Sequence, residues 1–344
     1  MDSFEPRNVL VLRFSSLGDV VLTTAIFPNL RKRWPHAKIA VATKAAFAPV
    51  FDGNPNVDEV FQLDGPGRTF SQLVLDLRRR HWDVVIDLHA NLRTWIIRFV
   101  AGGGWTVVVD KANGPRYALL FTRHVSKRLN RSVRERILDT LKGIDVPLVS
   151  AETQLFPADP RPILEAWGAK ATGRLIGIAP GARHATKRWP AAKFAEAANR
   201  LGAFPDTTVV ILGDQSDKDV AADVASKLVV QHVNLAGKTS LPDLIAVTSR
   251  LKFLLTNDSA LLHIGEAVKI PLLAVFGPTV RAFGFGPYRE SSRVAEVVNL
   301  HCRPCTLHGD ERCPLGHHKC MEDIDVNAVL YSCSDVIESV GGGL

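Results

Sequence analysis

Residues 251–279 read as strand, tight turn, helix, strand and break, and that order of elements leaves few folds open to the chain. Phe253 to Leu255 is a short apolar run that closes in Thr256-Asn257-Asp258-Ser259, a cluster of turn and N-cap residues. From Ala260 to Val268 the residues Leu261, Ile264, Gly265 and Val268 fall at helical spacing, so Asp258 or Ser259 is expected to cap a helix. A second apolar run, Ile270 to Phe276, ends in Gly277-Pro278. A helix that starts at the carboxyl end of a parallel strand presents free N–H groups and the positive end of its dipole, which suits a diphosphate. His263 falls about one turn in, near enough to face the same ligand. The plainer alternative is one more βαβ unit, with Asp258 only a cap and His263 an ordinary buried histidine.

The same alternation runs through the rest of the chain. Asn8 to Phe14 is expected as a buried parallel strand. Ser15 to Asp19 follows, then a helix from Val20 to about Trp34. Gly18 gives the backbone room to turn, and Asp19 at the helix entrance is placed either to cap or to act as a general base over the sheet edge. Further strands are expected at Lys38–Thr43, Val57–Gln62, Asp83–His89 and Trp105–Val109, with a helix at Phe70–Arg80. Asp87 and His89 end their strand at the same edge as Asp19 and are acceptor-side candidates with Ser16 and Gly18, or else caps. The pattern weakens between Val149 and Gly173, where Pro157, Pro160 and Pro162 cluster. A second series starts at Arg174. There Lys187 lies in the loop after a strand and can offer a point charge to a phosphate. Asp214-Gln215 repeats the strand-then-polar-turn pattern, and a polar side chain at such a turn suits a ribose. This gives an α/β chain with a first domain over 1–150, a linker over 151–173, a second domain over 174–324 and a final helical segment over 325–344.

A chain of 344 residues suits two domains rather than one core. No run approaches the roughly 18 apolar residues of a membrane span. The N-terminus lacks a signal peptide's basic start, so a cytoplasmic protein is expected. Charge is uneven: residues 1–150 hold 22 Lys and Arg against 14 Asp and Glu, a net +8, while the remainder is net −1. A basic first half argues for an anionic macromolecule or membrane surface as partner, or for a solvated helix face. All five cysteines follow residue 301. Cys302 and Cys305 have zinc-ligand spacing, with Cys313, Cys320 and several histidines nearby. The remaining spacings are irregular, which favours reduced, unligated thiols over a structural metal.

Several motifs together resemble glycosyltransferase family 9, the heptosyltransferases that use ADP-heptose. They are Arg13-Phe-Ser-Ser-Leu-Gly-Asp-Val20, Pro180-Gly-Ala182, Lys187-Arg-Trp-Pro190, Thr256-Asn-Asp-Ser-Ala-Leu-Leu-His263 and Phe276-Gly-Pro-Thr279. The tail, Cys302-Arg-Pro-Cys305 followed by Cys320-Met321, looks similar too. The resemblance implies a GT-B fold, two Rossmann-like doubly wound domains facing a central cleft, with the last helix packing back on the N-terminal domain. It implies Asp19 as catalytic base, Lys187 on the donor diphosphate, and Asp258 and His263 beside the diphosphate and sugar. Ser259, Ala260 and Gln215 complete the donor-side set. Ala260 stands where the family often has glycine, and Gln215 near where an acidic ribose ligand is frequent.

The expected reaction moves heptose from ADP-heptose to the lipopolysaccharide inner core, inverting configuration, at the cytoplasmic face of the inner membrane. The acceptor is Kdo–lipid A or a heptosylated core. No Asp-x-Asp motif of the kind that binds a metal-nucleotide in other glycosyltransferases is read in the chain, so neither a catalytic metal nor a cofactor is expected. One alternative is a GT-B enzyme with another donor or a protein acceptor. Another is a nucleic-acid-binding protein with a zinc-knuckle-like cysteine cluster, though the basic segments lack the aromatic interleaving of single-strand readers, so no nucleic acid is expected. A third is a two-lobed binding protein in which Asp19 and Lys187 are dispensable.

Overall fold

The computed structural model describes residues 4–65, 69–168 and 173–339. Residues 169–172 of the expected linker and 340–344 of the expected final segment lie outside them. The chain divides into two compact units, Met1–Ala112 with Arg131–Phe156, and Asn113–Asn130 with Pro157–Leu344. Residues 113–130, read from sequence as part of a first domain over 1–150, therefore associate with the second unit. Arg116 donates to the Phe283 carbonyl (2.6 Å) and Arg123 to that of Pro304. Within the expected linker, Arg161–Ala166 forms a short helix.

The first unit holds β1 (Asn8–Leu12), β2 (Lys38–Lys44), β3 (Glu59–Leu63), β4 (Trp82–Asp87) and β5 (Gly103–Val108). They form one parallel sheet in the order β3-β2-β1-β4-β5. Val9, Leu10, Val11 and Leu12 are fully buried, which is why β1 reads as an unbroken apolar run rather than an alternating one. Register sets Leu12 beside both Ala42 and Asp87, so β1 and β4 end level. The chain winds outward from β1 through β2 and β3, then returns to the other side of β1 as β4. The loops after β1 and β4 thus flank the switch point, where open α/β sheets bind ligands.

The second unit repeats the plan with six strands. These are β6 (Arg174–Ala179), β7 (Thr207–Ile211), β8 (His232–Asn234), β9 (Phe253–Asn257), β10 (Leu272–Phe276) and β11 (Ser292–Glu296). All are parallel, in the order β11-β10-β9-β6-β7-β8. Its switch point lies between β6 and β9, where Ala179 pairs with Thr256. Gly265, in the helix after β9, sits so close to the sheet that a Cβ there would meet Leu272 at 2.9 Å.

The final segment, expected as one helix on the first domain, forms two short helices, Val326–Tyr331 and Ser334–Ser339. Val326, Val329, Leu330, Cys333 and Ile337 enter the second unit's own core with Phe194, Ile176 and Met321. The packing implied by the resemblance is thus replaced by packing on the second unit. Among the described residues no helix is long and apolar enough to cross a membrane.

Candidate functional site

At the first unit's switch point the helix Leu17–Thr23 begins just after β1, with Ser16 as its N-cap. Ser16 donates its backbone N–H (3.1 Å) and its hydroxyl (2.8 Å) to Asp19 Oδ2, a reciprocal cap that fixes the carboxylate. Asp19 Oδ1 lies 2.6 Å from Arg13 Nη2. Arg13 is itself buried and donates to the Leu88 carbonyl after β4. Burial opposes ionisation of Asp19, but the Arg13 charge and the Ser16 hydrogen bonds outweigh it and hold the carboxyl below its usual range. Gly18 is an ordinary buried residue inside the helix rather than the turn.

His89 lies half-buried in the loop after β4, its ring edge-on to Phe14 at 5.5 Å. Burial, then the charges of Arg13 and Lys111, push it down to about 4. Asp87, a candidate for acceptor contact, plays another part. It is fully buried, accepts the N–H groups of His89 (3.0 Å) and Ala90 (2.7 Å), and pairs with Arg98 at 3.1 Å. It shapes the loop that carries His89. A buried carboxylate at a strand end needs such partners, so its neighbours decide its role.

At the second unit's switch point, Lys187 ends the short turn Ala185–Lys187 and its Nζ lies 2.6 Å from Asp258 Oδ2. Thr279, after β10, donates to the same oxygen at 2.7 Å. Asp258 thus holds Lys187 and Thr279 on one carboxylate oxygen, two residues before the helix Ala260–Ala267. Ser259 holds the N-cap position without a capping bond, and its hydroxyl lies 3.3 Å from that of Thr256. Ala260 opens the helix, and His263, one turn in, is buried with its ring 6.2 Å from Phe285. The helix N-terminus gives this edge free N–H groups, and Lys187 stands beside it, an arrangement suited to an anion.

Sequence reasoning missed the groups that brace this edge. Asn257, the last residue of β9, donates to the carbonyls of Pro180 (2.8 Å) and Gly181 (3.3 Å) and accepts the Trp189 N–H (3.1 Å). Asp217 packs so closely on the same loop that a Cβ on Gly181 would fall 2.1 Å from its carboxylate. Burial, with the neighbouring Asp214 charge, pushes Asp217 up. Gln215, the ribose candidate, is exposed two residues earlier in the turn. A polar residue closing an otherwise apolar strand was the available signal for Asn257.

The cysteine-rich tail also reaches Lys187. Thr186 and Asp310 bond in both directions, Thr186 N–H to Asp310 O at 3.0 Å and Asp310 N–H to Thr186 Oγ1 at 2.8 Å. His318 Nε2 lies 2.8 Å from the Thr186 carbonyl. Gly309, at φ +100°, lies against the Lys187 stem. All five cysteines are free thiols. Burial and the nearby Cys302 and Cys313 push the Cys305 thiol up, and burial with Cys305 pushes Cys320 to about 12. Among the described residues no group of three or more His, Cys, Asp or Glu side chains is gathered to hold a metal.

Comparison with known proteins places this geometry in context. The family model of glycosyltransferase family 9 (heptosyltransferase) matches residues 71–315. The chain is 25% identical to lipopolysaccharide heptosyltransferase 2 of Escherichia coli K12 over 348 residues, covering 94% of this chain and 96% of the other. It is 28% identical to lipooligosaccharide heptosyltransferase 2 of Haemophilus influenzae, covering 96% and 99%. Among solved structures, a family 9 glycosyl transferase from Veillonella parvula shares its fold at TM-score 0.80 and 23% identity, over 97% of this chain and 98% of that one. An E. coli ADP-heptose heptosyltransferase II does so at 0.76 and 23%, over 97% and 100%.

Proposed function

The chain belongs to glycosyltransferase family 9, the heptosyltransferases, and from that premise we propose that it transfers heptose from ADP-heptose to the lipopolysaccharide inner core. The relatives' names support this donor and acceptor. One observation carries the site assignment: each unit gathers its charged side chains at its own switch point, a held carboxylate in one and a held lysine in the other.

On this reading the donor diphosphate takes the second unit's edge. Lys187 and the N–H groups from Ser259 and Ala260 onward meet the phosphates, Asp258 positions Lys187, His263 lies beside the sugar, and Gln215 serves the ribose. The acceptor takes the first unit's edge, with Ser16, His89, Arg13 and Lys111 around Asp19. The acceptor hydroxyl gives its proton to Asp19 as its oxygen attacks the anomeric carbon. The bond from that carbon to the ADP oxygen breaks with its electron pair leaving on ADP, and configuration inverts. Arg13 keeps Asp19 ionised, so the base is ready at neutral pH. Its low proton affinity means that proton transfer accompanies attack rather than precedes it. Lys187 and the helix N-terminus stabilise charge growing on the leaving diphosphate, a large electrostatic contribution in such reactions. The chemistry uses no metal or cofactor. The protein works at the cytoplasmic face of the inner membrane as a peripheral enzyme, without nucleic acid.

The test is transfer from ADP-heptose to Kdo–lipid A and to heptosylated core, run side by side. Asp19→Asn should lower kcat by roughly 10²–10⁴-fold while ADP affinity by calorimetry changes less than about twofold. Lys187→Ala should instead weaken ADP binding. Turnover retained in Asp19→Asn removes Asp19 from the role of base, and no product from either acceptor sinks the substrate assignment.

A further inference from the structure

The helix Leu92–Ala101 is amphipathic in the wrong sense for a helix covering a sheet. Its inward face carries Thr94, fully buried, with Ile97 and Ala101 in the first unit's core. Its outward face carries Leu92 at 73% exposure, Trp95 at 55% and Phe99 at 80%. Ile96 and Val100, half-buried, fall on the same side at helical spacing. The Trp95 and Phe99 rings stack on each other, 6.1 Å apart and 15° from parallel, and so hold one outward-facing slab. Single exposed apolar residues are commonplace, but five on one stripe form a patch that marks a contact surface.

The charges around the stripe say what it meets. The sequence from Leu92 to Ala101 contains no carboxylate, and its charged residues are Arg93 and Arg98. Arg98 turns inward to Asp87, whereas Arg93 is exposed with its guanidinium 5.9 Å over the Phe70 ring. That ring belongs to the neighbouring helix Phe70–Arg78, which adds Leu75 at 53% exposure and ends in exposed Arg78, while Arg79 beyond it pairs with Asp76 at 3.2 Å. Tryptophan, phenylalanine and leucine on one face with arginines along its border is the composition of a helix lying in the interfacial layer of an anionic bilayer.

We propose that this stripe seats the protein on an anionic lipid surface, with Trp95 and Phe99 entering the boundary between headgroups and acyl chains and Arg93 and Arg78 meeting lipid phosphates. The inference deepens the reading above, because it rests on an acceptor that is anchored in a membrane. It also assigns the membrane contact to one helix instead of to the diffuse basic charge of the first half.

The experiment uses the full chain and sedimentation with vesicles, one set of phosphatidylcholine and one with roughly a quarter phosphatidylglycerol. The wild type should partition onto the anionic vesicles, and Trp95→Ser/Phe99→Ser should lower that partition at least about tenfold. Transfer to a deacylated, water-soluble core acceptor should be unchanged in the variant. Should the double variant fail to fold, Phe99→Ser alone, at the most exposed ring, should lower partition about fivefold. Wild-type binding by the variant, or no vesicle binding by the wild type, overturns the proposal. So does a wild-type dimer that the variant dissolves, which would give the stripe to a second copy of the chain. Absence of transfer to the soluble acceptor by wild type and variant alike counts against the enzymatic reading and leaves the vesicle result to be judged by itself.

Discussion

His89 shows how far burial, with the charges beside it, can set a side chain's chemistry. Its depressed pKa, about 4, reflects burial first and then the Arg13 and Lys111 charges, so the ring is neutral at pH 7. In the unfolded chain it takes a proton near pH 6.5, its ordinary value. Folding is therefore favoured fully above pH 6.5 and loses this contribution as pH falls towards 4. For a half-buried ring screened by solvent the loss is on the order of 1–2 kcal/mol. Chemical denaturation of the wild type between pH 7 and 4.5 should show that decline, and His89→Phe should flatten it. Asp19 has the same sign at lower pH, its stabilisation persisting above its unfolded value of 3.8. The positions of Asp19 and Lys187 in the fold were legible in the sequence because each follows an apolar strand at a polar turn. Arg13 and Asn257 were harder to read, since a residue that braces others shows its purpose only through contacts distant in the chain.

At the scale of elements, the tail loop and the Lys187 turn act as one piece. Gly309 sits at φ +100°, which side chains other than hydrogen rarely adopt, and a Cβ there would meet the His184 Cβ at 2.7 Å and the Lys187 stem at 2.9 Å. Gly309→Ala should therefore displace Lys187. The donor KM should rise several-fold with kcat less affected, and stability should fall by about 1–3 kcal/mol. Steady-state kinetics with calorimetric ADP titration reads the first and thermal unfolding the second. An unchanged donor KM would show that the strap does not set the lysine. Reading the tail for its cysteines obscured this, because thiol spacing suggests ligands while the contacts to Lys187 run through Thr186, Gly309 and Asp310. Strands were well marked by continuous apolar runs, but β8 and β11 were not read as strands, each being half-buried throughout. The helix read from Val20 to Trp34 breaks into a tighter turn at Thr24–Ile26, because Pro28 has no N–H to carry the ladder onward.

Over the whole molecule, charge and connectivity follow different boundaries. The positive excess lies in residues 1–150, yet the cationic stretch Asn113–Asn130 belongs with the second unit. Two alternating series were enough to read two doubly wound units, whereas an excursion of one unit's chain into the other depends on packing that no local pattern records. An acceptor bearing phosphates and carboxylates should feel the excess charge at long range. Raising salt from about 50 to about 500 mM should increase the acceptor KM several-fold and the donor KM less, since exposed charges are screened and held pairs are not. Equal salt sensitivity of the two constants would contradict that division.

Asn257, at the end of β9, ties the loop after β6 to the strand that leads into the helix Ala260–Ala267. The spacing of those two segments is therefore set by a single amide side chain, far apart in sequence from the loop it holds.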